Sequence, residues 1–506
     1  MKIPKITLSA LIMIFIMKEA CFSSVLSEND RFIFCLETYL RNDLVSFENT
    51  VDLDNKDSDD SSVYLGIDYS FGFGLKPKEK GPEFFLKLER NGPWDYSAPL
   101  FIHNTLMTSG ERIERYRDDE LLWQVEEFWM DTPLPDDFGL KIGLYTYEVG
   151  NGFSLNGSYE NYGLTIYRES ENLKWNFYYC RPDLSYKNHL GPRIRQEEEA
   201  GIDYNHGAAN FFSADLKYNK EPWTLEPYIG VLADYTSAGK RDNYFSAPVK
   251  RDLFGTAGLA YCIEGNNISW SVEAARNFGK AESLDAAYKD IYHTGYLFYT
   301  KIGYEKERFK PNFSFLVSSG NKVTLDMAQN GVDTLTSGKN RAFGYISPAN
   351  NNLGDSISGC HTDIRPLVAM GCGYGLNYGL PRPSTFATSD FDNLILPALG
   401  FDFDITKKLT LGLYGYYLRS FERGVGMLNG QPKYLSRDLG KEIDLFLDYK
   451  LNDNVLISLA GGYFVPGKYY KEERDDTVGS LFSPYVRGDG SADNAYQIEL
   501  SFEFKY

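Results

Sequence analysis

Eleven residues, Tyr496-Gln-Ile-Glu-Leu-Ser-Phe-Glu-Phe-Lys-Tyr506, place Tyr, Ile, Leu or Phe at every even position and a polar residue at every odd one. Side chains of a β-strand point alternately to its two faces, so this segment is apolar on one side and wet on the other. A buried strand of a soluble protein can alternate in this way. A strand that runs to a terminal aromatic ring fits better as the closing strand of a membrane barrel, whose outside meets lipid and whose inside meets water.

The same alternation recurs along the chain. About 18 such runs are legible, beginning with 31–39, 62–73, 83–90, 122–131 and 138–147, passing through 252–263, 266–278 and 291–305, and closing with 441–450, 454–464 and 495–506. The connections between them sort by length. Segments 40–61, 91–121, 181–207, 320–392, 420–440 and 465–494 are long, whereas 132–137, 219–222, Glu264-Gly265, Thr406-Lys407 and Leu451-Asn-Asp453 are short. Outer-membrane barrels have short periplasmic turns and long extracellular loops, so the reading is an all-β, transmembrane antiparallel β-barrel with both termini on the periplasmic side. A soluble sandwich has no reason to sort its loops in this manner.

Composition agrees. Aromatics make up 15% of the chain, with 38 Tyr and 34 Phe, beside 24% charged residues and a net charge of -18. Strands with one lipid face and one aqueous face produce that mixture, and the acidity argues against nucleic acid as a partner. Near the start, Lys2 and Lys5 precede the apolar run Ile6–Met17, whose 12 residues fall short of the roughly 20 needed by a spanning helix. Residues 1–22 therefore read as a secretory signal cleaved between Ala20 and Ser24. Residues 23–506 form a single barrel domain that includes the outer connection 320–392, and the expected address is the bacterial outer membrane. Lys18-Glu-Ala-Cys21 invites a lipoprotein reading, against which Lys18 occupies a site where lipid-attachment signals carry an apolar residue.

If the apolar phase of each strand faces lipid, the opposite phase names the inner wall. Phe84, Leu86 and Leu88 turn Lys87 and Glu89 inward. Leu140, Ile142 and Leu144 do the same for Lys141, Gly143 and Tyr145. Leu173, Trp175, Phe177 and Tyr179 leave Lys174, Asn176 and Tyr178 inside, and Leu225, Ile229 and Val231 leave Glu226 and Tyr228. The wall also takes Glu126, Asp215, Lys217, Glu273 and Lys301, then Glu442, Asp444 and Asp448, then Gln497, Glu499, Glu503 and Lys505. A charge turned to lipid at mid-bilayer costs about 2 to 4 kcal/mol, which fixes the phase wherever such a residue sits near the membrane centre. The mixed wall leans acidic, favouring neutral solutes or cations unless loop arginines dominate the narrowest point. Arg181, Arg193, Arg195, Arg341, Arg365 and Arg382 lie in outer segments and read as solvated charges, as binders of anionic surface sugars, or as groups folded inward. Rings and carboxylates together also line carbohydrate passages.

Other signals are weaker. The acidic run Asp52–Asp60 falls in the first outer loop, where solvation competes with cation binding as its explanation. Of six cysteines, Cys35, Cys180 and Cys262 lie in separate candidate strands, whereas Cys360 and Cys372 share one outer segment that an oxidising compartment would let them bridge. Five histidines, His103, His189, His206, His293 and His361, have no nucleophile at a recognisable spacing, and Cys360-His361 with Cys372 lacks a fourth ligand for metal. The expectation is a non-enzyme with no cofactor.

Three stretches resemble the alginate-export family of outer-membrane porins. Gly440-Lys-Glu-Ile-Asp-Leu-Phe-Leu-Asp-Tyr-Lys-Leu followed by Gly461-Gly-Tyr-Phe-Val-Pro-Gly-Lys-Tyr469 is similar to its last strands, and Gln124-Val-Glu-Glu-Phe-Trp with Leu140-Lys-Ile-Gly-Leu-Tyr and Gly150-Asn-Gly152 to a strand pair and its following loop. Arg341-Ala-Phe-Gly-Tyr-Ile-Ser-Pro-Ala-Asn-Asn-Asn-Leu-Gly-Asp355 is similar to its long outer segment. The resemblance implies an 18-stranded barrel in outer-membrane lipid that passes a hydrophilic solute, with a polysaccharide or oligosaccharide among the candidates. The family's Gly-Arg-Gln pattern reads Gly143-Leu-Tyr145 here, so the barrel and transport carry over and the cargo does not. The alternatives are a nonspecific diffusion porin and a surface adhesin or receptor built from the 320–392 loop.

Overall fold

A computed structural model describes residues 25–28, 31–48, 53, 61–93, 124–145, 147–157, 162–181, 209–235, 249–283, 289–329, 338–344, 366–370, 391–475 and 490–505. Its staves are β1 (Phe32–Glu48), β2 (Ser61–Pro77), β3 (Glu83–Pro93), β4 (Gln124–Pro133), β5 (Phe138–Leu144), β6 (Tyr162–Glu169), β7 (Leu173–Cys180), β8 (Ala209–Lys220) and β9 (Trp223–Asp234). They continue as β10 (Val249–Glu264), β11 (Ile268–Ser283), β12 (Tyr296–Tyr304), β13 (Phe309–Ser318), β14 (Leu394–Thr406), β15 (Leu409–Ser420), β16 (Asp438–Asn452), β17 (Val455–Pro466) and β18 (Ala495–Lys505). Each pairs antiparallel with its neighbour, and β18 returns to β1 over Tyr39↔Lys505 to Glu48↔Tyr496, so no edge is left open. This is the closed 18-strand barrel that the alternation predicts.

Lipid contact follows from which phase is exposed. On β16, Ile443 (59% exposed) and Leu445 alternate with buried Glu442 and Asp444, and on β14 Leu399 is 66% exposed beside buried Ala398. In a water-soluble fold that arrangement would be inverted; on a barrel it is the lipid face. Tyr218, Trp223, Tyr261 and Trp270 form a chain of neighbouring rings near the short-turn end of β8 to β11, with centroids 5.2, 6.4 and 5.8 Å apart. Rings with one polar edge settle at the membrane interface, which makes this an aromatic girdle.

Several strands outrun their expected limits on the long-loop side. The run read as 31–39 extends to Glu48, 266–278 to Ser283, and 62–73 to Pro77 on the short-turn side. Conversely, the run 291–305 divides into Ile291–His293 and β12, because the chain at Thr294 and Gly295 passes against Ala342 and Phe343, where a side chain on Gly295 would meet backbone. The run 138–147 stops at Leu144, and Tyr147–Glu148 pairs instead with Asn156–Gly157. Outside the barrel wall, among the described residues, lie a hairpin of Val425–Leu428 with Gln431–Tyr434, turned at Asn429 and Gly430 with positive φ at both, and a short helix, α1 (Leu325–Gln329). Asn-Gly suits such a two-residue turn because both positions tolerate left-handed backbone.

Candidate functional site

Among the described residues, parts of two outer connections that fold back into the barrel are held by inner-wall acids. The first is 147–157, between β5 and β6. Its turn carries Gly150 (φ +65°) and Gly152 (φ +76°), where Gly150 approaches Ala260, Tyr228 and Glu273 so closely that a Cβ would lie 3.2 Å from each. Gly150 N donates to Glu226 Oε1 at 3.2 Å and Asn151 N to Glu273 Oε2 at 2.8 Å. Ser154 Oγ and Tyr228 Oη each donate to Glu273 Oε1 at 2.6 Å, and these two hydroxyls also touch one another. Tyr147 Oη donates to Asp215 Oδ1 at 2.7 Å, and Asn176 Nδ2 donates to Asp215 Oδ2 at 2.7 Å. Burial and the Asp215 charge push the Tyr147 phenol up, so it stays a donor. Its ring stacks on Tyr178, centroids 4.3 Å apart. Leu155 fits over Gly230, where a Cβ would collide with it.

The second is the described part of the connection between β13 and β14, residues 319–329, 338–344, 366–370 and 391–393. Leu367 N donates to Asp444 Oδ2 at 2.9 Å, while Val368 N and Ala369 N donate to Glu442 Oε1 and Oε2 at 2.6 and 2.8 Å. Gly462 leaves room for this turn, since a Cβ there would meet Leu367, Val368 and Asp444. Farther along the wall, Asn277 and Gly344 exchange hydrogen bonds at 2.8 and 2.9 Å. His293 is buried against Asp252 Oδ1 at 2.8 Å and Asn340, which gives it a fastening role. Phe153 from the first loop packs on Tyr299 at 4.4 Å and on Phe391 at 5.5 Å, so the two connections meet inside the barrel.

All the predicted inner-wall residues fall on one face of the sheet, because the strand registers link them in a single phase: Asn176↔Asp215↔Tyr228, Ala260↔Glu273↔Tyr299, and Tyr416↔Glu442↔Phe464. Their surroundings differ. Glu273, Glu442, Asp444 and Glu499 are at most 1% exposed, and Tyr145, Tyr178, Asp215, Glu226 and Tyr228 are buried too. Lys87 meets Glu126 at 2.7 Å beside a register shift in β4 that sets two consecutive residues inward. Lys217 lies 3.8 Å from Glu226, Lys174 3.1 Å from Glu169, and Lys505 2.6 Å from Glu503. Lys141 sits over the Trp129 and Tyr145 rings at 3.9 and 4.7 Å. Glu89, Lys301 and Asp448 are partly exposed on the same face.

In the outer half of β12 to β18 the inner phase also carries an apolar cluster that the inner-wall residues read from the sequence do not include. There Leu316, Leu396, Tyr416, Leu418 and Phe464 turn inward and cluster with Leu53, Phe343, Leu367, Val368 and Phe391. Strands facing lipid on one side and a returning loop on the other are apolar on both. The sequence reading also missed Arg41 and Asp43. Arg41 is 1% exposed and its guanidinium binds Asp43 at 2.8 Å, Glu499 at 3.1 Å and Ser501 at 3.2 Å across the β1–β18 junction. Leu36, Leu40 and Leu44 keep the apolar phase through that polar stretch and were the available signal.

Arg181 and Arg341 are exposed; Arg193, Arg195, Arg365 and Arg382 lie outside the described residues, as do the signal segment, most of the acidic run 52–60, Cys360, Cys372 and the histidines other than His293. Cys35, Cys180 and Cys262 are free thiols. Among the described residues no group of three or more His, Cys, Asp or Glu is placed to hold a metal ion.

No family model and no curated protein matches the chain. Its structure is similar to that of Pseudomonas aeruginosa OccK9 (OpdG), with a TM-score of 0.51 and 10% identity over 94% of this chain and 98% of the other. Acinetobacter baumannii OccAB2 aligns with a TM-score of 0.49 and 10% identity over 94% and 98%. The fold is that of an outer-membrane porin. At this identity the likeness concerns architecture alone.

Proposed function

We propose that the chain is an outer-membrane channel for passive diffusion of a hydrophilic solute, narrowed by the 147–157 segment and by residues 366–370 and 391–393 of the connection between β13 and β14. The observation that supports this is the meeting of Phe153 with Phe391 inside a closed barrel whose inner phase carries the charged residues. The acids that fasten the loops are engaged by N–H and O–H donors, so selectivity rests on the more exposed Glu89, Lys301, Asp448 and Lys505. Carriage of a polysaccharide or oligosaccharide of the alginate-export type is the finer reading and rests on the three sequence stretches. The apolar cluster around Leu367 favours a second reading, a barrel closed on one side whose loops bind a surface ligand.

Planar-bilayer recording of the refolded chain tests these readings. A steady current with a cation-leaning reversal potential supports the channel, and block by a sugar polymer supports the carbohydrate reading. Current indifferent to sugars fits a nonspecific porin. No current at all overturns the channel and leaves the receptor.

A further inference from the structure

The outer surface carries a basic cavity at the long-loop rim that the channel does not use. On β15 the residues facing lipid are the odd-numbered ones, since Gly412, Tyr414, Tyr416 and Leu418 are buried inside, and that outer phase ends in Tyr417 and Arg419. With Arg423, Tyr434, Arg437 and Lys468 they line a cavity of about 490 Å³. Four cations face two carboxylates there, Asp438 and Glu472, in a chain whose net charge is -18.

The cations are unequally committed. Arg437 lies 3.6 Å from Glu422 and Lys468 3.9 Å from Glu472. Arg419 and Arg423 form no ion pair among the described residues, and Arg423 only covers the Tyr434 ring at 6.0 Å. The rim near β10 and β11 is different: there Arg251 meets Glu282 at 2.5 Å and Lys280 meets Asp290 at 3.0 Å, so each cation has its counter-ion.

Position supplies the second observation. Tyr417 pairs in register with Lys441, and Lys441 with Val465; one step deeper, Ile443 pairs with Tyr463. Val465, Ile443 and Tyr463 are exposed apolar residues of the lipid face, 41%, 59% and 47% open. Same-face residues of a strand are about 6.6 Å apart, so Arg419 lies one such spacing beyond Tyr417 on the long-loop side of the band that meets acyl chains, and Arg423 follows just past the strand end. Groups at that level with free planar donor forks suit phosphate, which arginine binds bidentately.

We propose that this cavity binds the phosphorylated headgroup of a glycolipid in the outer leaflet, with Arg419 and Arg423 on the phosphate and Ile443, Tyr463 and Val465 against the acyl chains. The site is independent of whether the barrel conducts.

Native mass spectrometry of the refolded full chain tests it, with bis-phosphorylated lipid A, the same glycolipid stripped of phosphate, and inorganic phosphate as a competitor. The wild type should retain phosphorylated lipid A, and the double variant Arg419→Gln, Arg423→Gln should bind it about tenfold or more weakly, as expected for lost hydrogen bonds to a charged group. Arg419→Lys with Arg423→Lys should recover part of the loss, and Lys407→Gln, on a turn at the opposite rim, should leave binding unchanged; heat-modified gel migration checks that each variant is folded. Equal retention by wild type and the double variant, equal retention of the phosphate-free glycolipid, equal loss in Lys407→Gln, or displacement by inorganic phosphate at matched concentration would each overturn the proposal.

Discussion

Phe153 and Phe391 meet edge to face, ring planes at 82° and centroids 5.5 Å apart, although their connections leave the barrel wall on different strands. Each loop is fastened separately, the first by Glu226 and Glu273 and the connection that carries Phe391 by Glu442 and Asp444. The contact is therefore the place where a change in one loop is felt by the other.

Replacing Phe153 by Ala removes that contact and the one with Tyr299, and should cost about 1 kcal/mol beyond the lost apolar burial. Single-channel conductance should rise, because the Phe153 ring joins the two connections inside the barrel. Unchanged conductance would mean that the contact lies away from the solute path.

Asp444→Asn and Asp448→Asn should separate fastening from selectivity. Asp444 accepts Leu367 N–H, and a misdirected amide there leaves a buried donor facing a donor, a loss of about 1 to 3 kcal/mol seen as an earlier urea midpoint and noisier current. Asp448 is only partly buried, so its neutralisation should reduce cation preference in the reversal potential under a salt gradient.

Arg41→Ala should be the most damaging single change at the barrel junction. It leaves Asp43 and Glu499 buried without their shared cation, at a cost of about 3 to 5 kcal/mol. The temperature at which the folded gel band converts to the unfolded one should fall; adding Glu499→Gln should restore part of it.

Asp475 gives a pH test outside the membrane. It accepts N–H from Asn429 at 3.0 Å and Gly430 at 2.9 Å, which holds its carboxyl below the usual aspartate range. A lowered folded value means the bonds contribute fully above the unfolded pKa and are lost as pH falls through the folded one. Protection of the Asn429 and Gly430 amides, taken relative to their intrinsic exchange rates, should fall in that acidic window in the wild type and stay level in Asp475→Asn.

The strand count, the loop alternation and the inward phase of residues such as Glu273 and Glu442 were legible because a period of two, once anchored by lipid cost, repeats through every stave. How those carboxylates fasten the returning loops was not legible: besides the hydroxyls of Ser154 and Tyr228 on Glu273, their partners are backbone N–H groups of Asn151, Val368 and Ala369, which leave no mark in side-chain chemistry. The apolar inner phase at Leu396, Tyr416 and Leu418 is hidden from the simple rule for the same reason, since a returning loop presents the wall with a dry surface. Arg41-Asn42-Asp43 has the composition of a loop start, which hides Arg41 from the alternation.

The pairing of Tyr39–Glu48 with Tyr496–Lys505 joins segments more than four hundred residues apart. Loop closure over such a separation is entropically expensive until the intervening hairpins have shortened the effective distance. Insertion is thus constrained to end at this joint, and before it forms, two ladders of unsatisfied amides and carbonyls would face hydrocarbon.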